Sequence, residues 1–219
     1  MKKKGIILVI TSGLLISSVA LAAPPIENFD LGKGEVDIGT SAIPAMNVQN
    51  NYSYNRSDNV KHKGFGGAAV GLGHNLAFQF RYDENQMEPA TKLNIRNQQY
   101  NLIYKINKNV NVYAGELHSR LLETNNGANN DFSTSRNIAQ VGAQYHQKIA
   151  RNATGWAEVA FGKDMQHYEI GTAYALHKNI DFDLSYQYTK VTDYTNSDNN
   201  NWKGKATSKG LYAGLQFKF

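Results

Sequence analysis

Ile180-Asp181-Phe182-Asp183-Leu184-Ser185-Tyr186-Gln187-Tyr188 sets apolar or aromatic residues at every even position and polar ones at every odd position. Successive side chains of a strand point to opposite faces, so a period of two marks a strand whose faces meet different media. A helix would bring the same residues round at three and four. The pattern recurs on either side. Leu76, Phe78, Phe80 and Tyr82 alternate with Ala77, Gln79 and Arg81, and Tyr168, Ile170, Thr172, Tyr174 and Leu176 alternate with Glu169, Gly171, Ala173 and Ala175. At the C-terminus Leu211, Ala213, Leu215, Phe217 and Phe219 alternate with Tyr212, Gly214, Gln216 and Lys218. No segment carries a long amphipathic helical period, so the chain is all-β.

Four short turns repeat a basic residue or His, then Asn, then the opening of a strand: His74-Asn75-Leu76, Lys108-Asn109-Val110, Arg151-Asn152-Ala153 and Lys178-Asn179-Ile180. Asn accepts left-handed backbone angles at low cost, which suits tight hairpins. The alternate connections, Pro44 to His62, Asp83 to Ala90, Ser119 to Ser135 and Thr192 to Lys205, are long and polar. Lys163-Asp164-Met165 is short where a long one is expected. The strands so defined cover 34–43, 63–73, 76–84, 92–106, 110–118, 136–147, 153–162, 166–176, 180–190 and 206–219, with all four prolines outside them. Short turns at one end and long polar loops at the other describe a transmembrane, antiparallel up-and-down β-barrel of ten strands. Eight strands is the fallback if the first strand and the break at Lys163 fail. An apparent change of face near Gln98 suggests a bulge.

Residues 1–22 read as a signal peptide: Lys2, Lys3 and Lys4, an apolar run from Ile6 to Ile16, then Ala20-Leu21-Ala22. The apolar run is too short to span a bilayer as a helix, which takes about 20 residues. Residues 23–33 read as a short extended lead-in on the periplasmic side, and 34–219 as the barrel. The 219-residue chain has Lys+Arg 23 against Asp+Glu 18; without the three leader lysines the balance is 20 to 18, too even for a nucleic-acid argument. It has no Cys, which excludes disulfides, thiolate metal sites and a Cys nucleophile.

The apolar face could line a soluble, lipocalin-like barrel or face lipid. Lipid is favoured by aromatics near strand ends (Tyr82, Tyr100, Tyr104, Tyr145, Tyr168, Tyr188, Phe217) and by an opposite face of Gly, Ala and mixed charge. The ending, with Leu211, Leu215, Phe217 and terminal Phe219, resembles the signal by which barrel-assembly machinery selects its clients. From about Glu35 to Phe219 the chain resembles small bacterial outer-membrane β-barrels of the OmpA-like or opacity-protein type. That resemblance implies a cell outer membrane location, with outer-membrane lipid, lipopolysaccharide and the assembly machinery as partners. It implies no single activity, since such barrels serve as anchors, adhesins, narrow pores and enzymes.

The inward face receives Arg81, Lys105, Glu158, Glu169, Asp181, Asp183 and Lys218. A narrow barrel is filled by its side chains, so these charges read as a network closing the lumen rather than as a pore lining. Rim-site hydrolases such as the omptin proteases would need Asp and His on the long-loop side, where Asp83, Glu84, Glu116, His118, Asp164 and His167 qualify by position. No omptin motif matches residue by residue, and the chain is short for their tall barrel. His118-Ser119 offers the residues of a lipid A deacylase, but adjacent strand residues face opposite ways. The six His (His62, His74, His118, His146, His167 and His177) have no ligand spacing, so no metal and no cofactor is expected. Loop aromatics beside cations (Tyr52, Tyr54, Arg56, Phe132, Trp202, Lys203 and Lys205) are apt for an extracellular ligand or lipopolysaccharide. The expected function is non-enzymatic: envelope integrity and surface interaction or adhesion. A narrow diffusion porin comes second and a rim hydrolase third.

Overall fold

A computed structural model describes residues 24–50, 55–61, 64–87, 91–125, 132–195 and 203–219. They form one closed antiparallel barrel: β1 Gly34–Asn50, β2 Asn55–Lys61, β3 Gly64–Gly73, β4 Leu76–Met87, β5 Thr91–Lys105, β6 Val110–Asn125, β7 Phe132–Ala150, β8 Ala153–Gly162, β9 Met165–His177, β10 Ile180–Thr195 and β11 Lys203–Lys218. β2 and β3 both pair with β1 and β4 and share one position in the wall, so the barrel has ten staves. β1 pairs with β11 along its length, and the chain ends are tied by Gly34 N–H to Phe219 O and Phe219 N–H to Gly34 O at 3.1 and 2.9 Å. No helix occurs among the described residues.

The four Asn turns share a role other than the expected one. Only Asn75 adopts positive φ, with His74 beside it. What is common is a backbone bond: the carbonyls of Asn75, Asn109, Asn152 and Asn179 accept from Lys105, His146, Ala175 and Lys218 N–H on the neighbouring strand. Asn109 and Asn179 add side-chain bonds to the His146 and Lys218 carbonyls. Each turn therefore caps a ladder end that would otherwise leave backbone groups unpaired.

The segments expected as long loops are largely strand. β6 runs to Asn125, β7 starts at Phe132, and β10 runs to Thr195. Pro44, expected outside any strand, lies within β1, just past a register shift between Ser41 and Ile43. A bulge already interrupts the ladder there, so the missing N–H is tolerated. The bulge expected near Gln98 is absent: β5 pairs with β4 and β6 without a shift. Leu93, Ile95, Asn97, Gln99, Asn101 and Ile103 all point inward and are buried. What changes near Gln98 is the medium outside. Below it Tyr100, Leu102 and Tyr104 are exposed on an apolar outer wall; above it Asn94, Arg96 and Gln98 face outward.

The barrel is thus built in two storeys. The lower one wears an apolar belt (Phe78, Leu102, Val141, Val159, Ile170, Phe182 and Leu184 among its exposed residues) around a polar interior. The upper one reverses this, burying Met46, Val48, Leu93, Ile95, Leu117, Leu121, Ile138, Met165, Val191 and Ala206 while its outer wall is polar; their apolar cluster continues down one side of the lumen through Ala77, Ile103 and Tyr113 to Ile26 and Phe29 at the base. At the base, Pro24 to Lys33, expected as a lead-in, folds into the barrel mouth. Pro24, Pro25, Ile26 and Phe29 are buried, the Phe29 carbonyl accepts from Gly73 N–H, and the Asn111 amide reaches the Ile26 carbonyl.

Candidate functional site

The lumen holds the main polar constellation. Arg81 on β4 extends to the opposite wall, where its guanidinium meets Glu158 Oε1 on β8 at 2.9 Å and Glu169 Oε2 on β9 at 3.3 Å. Glu158 also accepts from the Tyr113 hydroxyl at 2.6 Å and the Gln144 amide at 2.9 Å, and Glu169 accepts from Ser185 Oγ at 2.8 Å. His167 sits beside both acids, its Nε2 3.7 Å from Glu169, while its Nδ1 is 2.9 Å from Thr189 Oγ1. Every one of these side chains is buried, so several charge-assisted bonds in a low-dielectric space tie β4, β6, β7, β8, β9 and β10 together.

Asp181 and Lys218 pair separately at the base, Nζ to Oδ2 being 2.6 Å, and Lys218 also lies 3.9 Å from Glu27 of the basal segment. Lys105 joins neither group: its ammonium lies 5.4 Å above the Phe29 ring and reaches the Glu27 carbonyl at 3.4 Å. Asp183 is fully buried between the two groups, and its carboxylate oxygens find no side-chain donor among the described residues. Sequence reading places these charges but omits Glu35 and Asp37, buried on the inner face of β1, assigns His167 to the rim, and does not name Tyr113, Gln144 and Ser185, whose uncharged side chains carry no signal of a network.

The rim candidates are scattered. Asp83 is inside, taking amide bonds from Asn85 and Asn97, and His167 lies in the lumen network. Glu84 pairs with Arg96 at 3.2 Å and accepts from Tyr82. Glu116 and His118 face outward, the latter bonded to Asn137. Asp164 sits in the tight turn after β8 at positive φ and is held by Arg136 at 3.1 Å; the same guanidinium holds Asp193 at 3.0 Å. Asp83 and His167 thus share the inner wall while the other four do not, and no metal-binding cluster occurs among the described residues.

Of the expected loop contacts, Tyr52, Tyr54 and Trp202 lie outside the described residues. Arg56 and Phe132 lie in β2 and β7, with side chains outside the described ones. Lys203 pairs with Asp193 at 3.8 Å, and Lys205 lies on the outer wall of β11. The terminal residues Leu211, Leu215, Phe217 and Phe219 share the outer face of β11.

No protein-family model and no curated protein matches the chain. Among solved structures, the outer membrane protease OmpT from Escherichia coli matches with a TM-score of 0.55 and 10% identity, over 90% of this chain and 100% of that one. The chain has the fold of a small outer-membrane β-barrel. Neisserial surface protein A matches with a TM-score of 0.42 and 16% identity, over 85% and 96% of the two chains. The attachment invasion locus protein Ail of Yersinia pestis matches with a TM-score of 0.38 and 15% identity, over 85% and 99%. These likenesses concern the barrel fold. The expectation that the chain is too short for a tall barrel does not hold, since strands such as β7 (19 residues) and β10 (16 residues) exceed the about 9–11 residues that cross a bilayer.

Proposed function

We propose that the protein is a closed, non-enzymatic barrel of the outer membrane that supports the envelope and offers its polar upper wall and loops for surface interaction. The observation that carries this reading is the filled lumen: an apolar core above, the network around Arg81 in the middle, and Pro24 to Lys33 below. Glu84, Glu116 and His118 on the outer wall and Asp164 in a turn lie apart from Asp83 and His167 on the inner wall, which supports the non-enzymatic reading.

The runner-up, a narrow diffusion channel, draws on the Asp183 oxygens, which need water if they are charged. Planar-bilayer recording separates the two. The closed barrel gives no unitary conductance steps, whereas steps that persist after Asp183→Asn would support a channel. Incubation of the refolded chain with a casein substrate is expected to give no cleavage above buffer; cleavage lost in His167→Ala would overturn the non-enzymatic reading.

A further inference from the structure

The barrel wall is unlaced between β1 and β3. Gly34 opposite Val70, at the base, is the ladder pair these neighbours share. Among the described residues, β1 from Glu35 to Thr40 pairs with β11 alone, and β3 from Phe65 to Ala69 with β4 alone. Continuing the register of the basal pair sets Ala68 beside Val36, Gly67 beside Asp37 and Phe65 beside Gly39. The stretch lies within the apolar belt: Val36 and Ile38 stand opposite Phe217 and Leu215 of β11, and Ala68 stands opposite Phe80 of β4. Backbone groups facing lipid cannot turn to water, so a wall without its ladder is weakest here. Gly64, Gly66 and Gly67 weaken β3 further, since they leave no side chains to pack.

An aromatic ring stands in for the missing ladder. Phe65 is buried and meets Tyr212 of β11 edge-on, with ring centroids 5.3 Å apart. A Cβ at Gly39 would collide with this ring, and one at Gly214 would lie 3.3 Å from its Cζ, so Phe65 spans the inner face of β1 to reach β11. Behind the ring lie two carboxylates with oxygens that lack donors. Asp37 and Asp183 stand opposite Gln216 and Gly214, one row apart across β11, and are 2% and 0% exposed. Asp37 Oδ1 and both Asp183 oxygens accept no hydrogen bond from the described residues. Asp183 Oδ2 would lie 2.9 Å from a Cβ at Gly214, which sets it beside Phe65. Lys218 below is held by Asp181 at 2.6 Å. Buried carboxylates of this kind are costly until a donor or cation reaches them. The seam that leads to them is apolar outside and acidic within.

Resting on the outer-membrane reading, we propose that the wall parts between β1 and β3 as Phe65 leaves Tyr212, and that the opening admits the ammonium head of a single-chain alkylamine from the bilayer to Asp37 and Asp183. The alkyl chain stays in the seam, against Val36, Ile38 and Ala68. The ammonium offers three donors and a compact charge to the two carboxylates. The opening is to lipid, so the barrel stays closed along its axis.

The test uses refolded chain in phosphatidylcholine vesicles, titrated with octadecylamine and with octadecanol, each carrying a nitroxide near its head, and reads the immobilised fraction by electron paramagnetic resonance. Wild type is expected to prefer the amine at least tenfold. Val36→Cys/Ala68→Cys, which bridges the seam, is expected to lose that preference when oxidised and regain it when reduced. Asp37→Asn/Asp183→Asn is expected to lose it in either state, whereas Asp164→Asn/Asp193→Asn on the upper storey keeps it. Should the disulfide not form, the two aspartate pairs decide the matter. Equal immobilisation of amine and alcohol by wild type overturns the proposal, as does a preference that survives the oxidised bridge or the loss of Asp37 and Asp183. Unitary conductance steps in planar bilayers, or the lack of a heat-modifiable band in detergent, would instead count against the closed-barrel reading itself.

Discussion

Asp183 and Leu184 are adjacent on β10 yet lie in opposite media: Asp183 is fully buried in the lumen, while Leu184 is 43% exposed on the outer wall. A cation near the middle of a bilayer costs about 2–4 kcal/mol, so Leu184→Arg should destabilise the vesicle-refolded barrel by that amount in denaturant titration. Asp183→Asn alters a buried carboxyl that no side-chain donor meets and should change stability by less. The opposite ranking would mean that the wall is turned inside out. Arg81 is the more sensitive site. Arg81→Met leaves Glu158 and Glu169 buried without their cation, and breaking a buried pair in this way costs about 3–5 kcal/mol. Adding Glu158→Gln and Glu169→Gln to Arg81→Met should recover most of that loss in the same titration. If the triple variant is as unstable as the single one, the network contributes packing rather than charge balance.

At the scale of the strand, the alternation in 180–188 was legible because β10 there passes between lipid and a polar lumen, which makes the contrast between faces maximal. Several inward charges are legible for the same reason, but not Glu35 and Asp37, which β1 also buries. The upper storey was not. Once a strand leaves the bilayer its ladder continues and its side chains keep their faces, but water replaces lipid outside and an apolar core replaces the polar lumen. In β5 this turns Leu93 and Ile95 inward and Asn94 and Arg96 outward, which in sequence looks like a slip of register. The bulge within β1 does invert parity, from Ser41 to Met46, yet it sits where Pro44 suggests that the strand has ended. The basal segment was illegible because its burial depends on the barrel mouth and on no period of its own.

Two substitutions address these elements. Leu121, buried in the upper core within the stretch expected as a loop, should cost about 2–5 kcal/mol when changed to Ala; a loop residue at that place would tolerate the change. Gly171 lies opposite Trp156 in the β8–β9 register, and a Cβ there would fall 2.7 Å from the indole ring. Gly171→Val should therefore cost about 1–3 kcal/mol through overpacking. Unchanged thermal unfolding of that variant would show that the indole does not fill the lumen beside β9.

For the whole molecule, the belt of exposed Phe78, Leu102, Val141, Ile170, Phe182 and Leu184 exceeds what a monomer in water sustains. Refolded chain should stay monomeric only in detergent or lipid, and unboiled samples should migrate apart from boiled ones on a gel; a stable, soluble monomer without detergent would revive a lipocalin-like barrel. The central claim is that one inner face runs unbroken from membrane to outer storey. It is tested most directly by a single-cysteine spin-label scan through Leu93 to Lys105, since the chain has no Cys of its own. With labels in vesicles, positions 100, 102 and 104 should be accessible to oxygen, and positions 94, 96 and 98 to a water-soluble nickel chelate. Positions 93, 95, 97, 99, 101 and 103 should be shielded from both. Nickel access at 93 and 95, with protection at 94 and 96, would place a change of face near Gln98 and contradict the two-storey barrel.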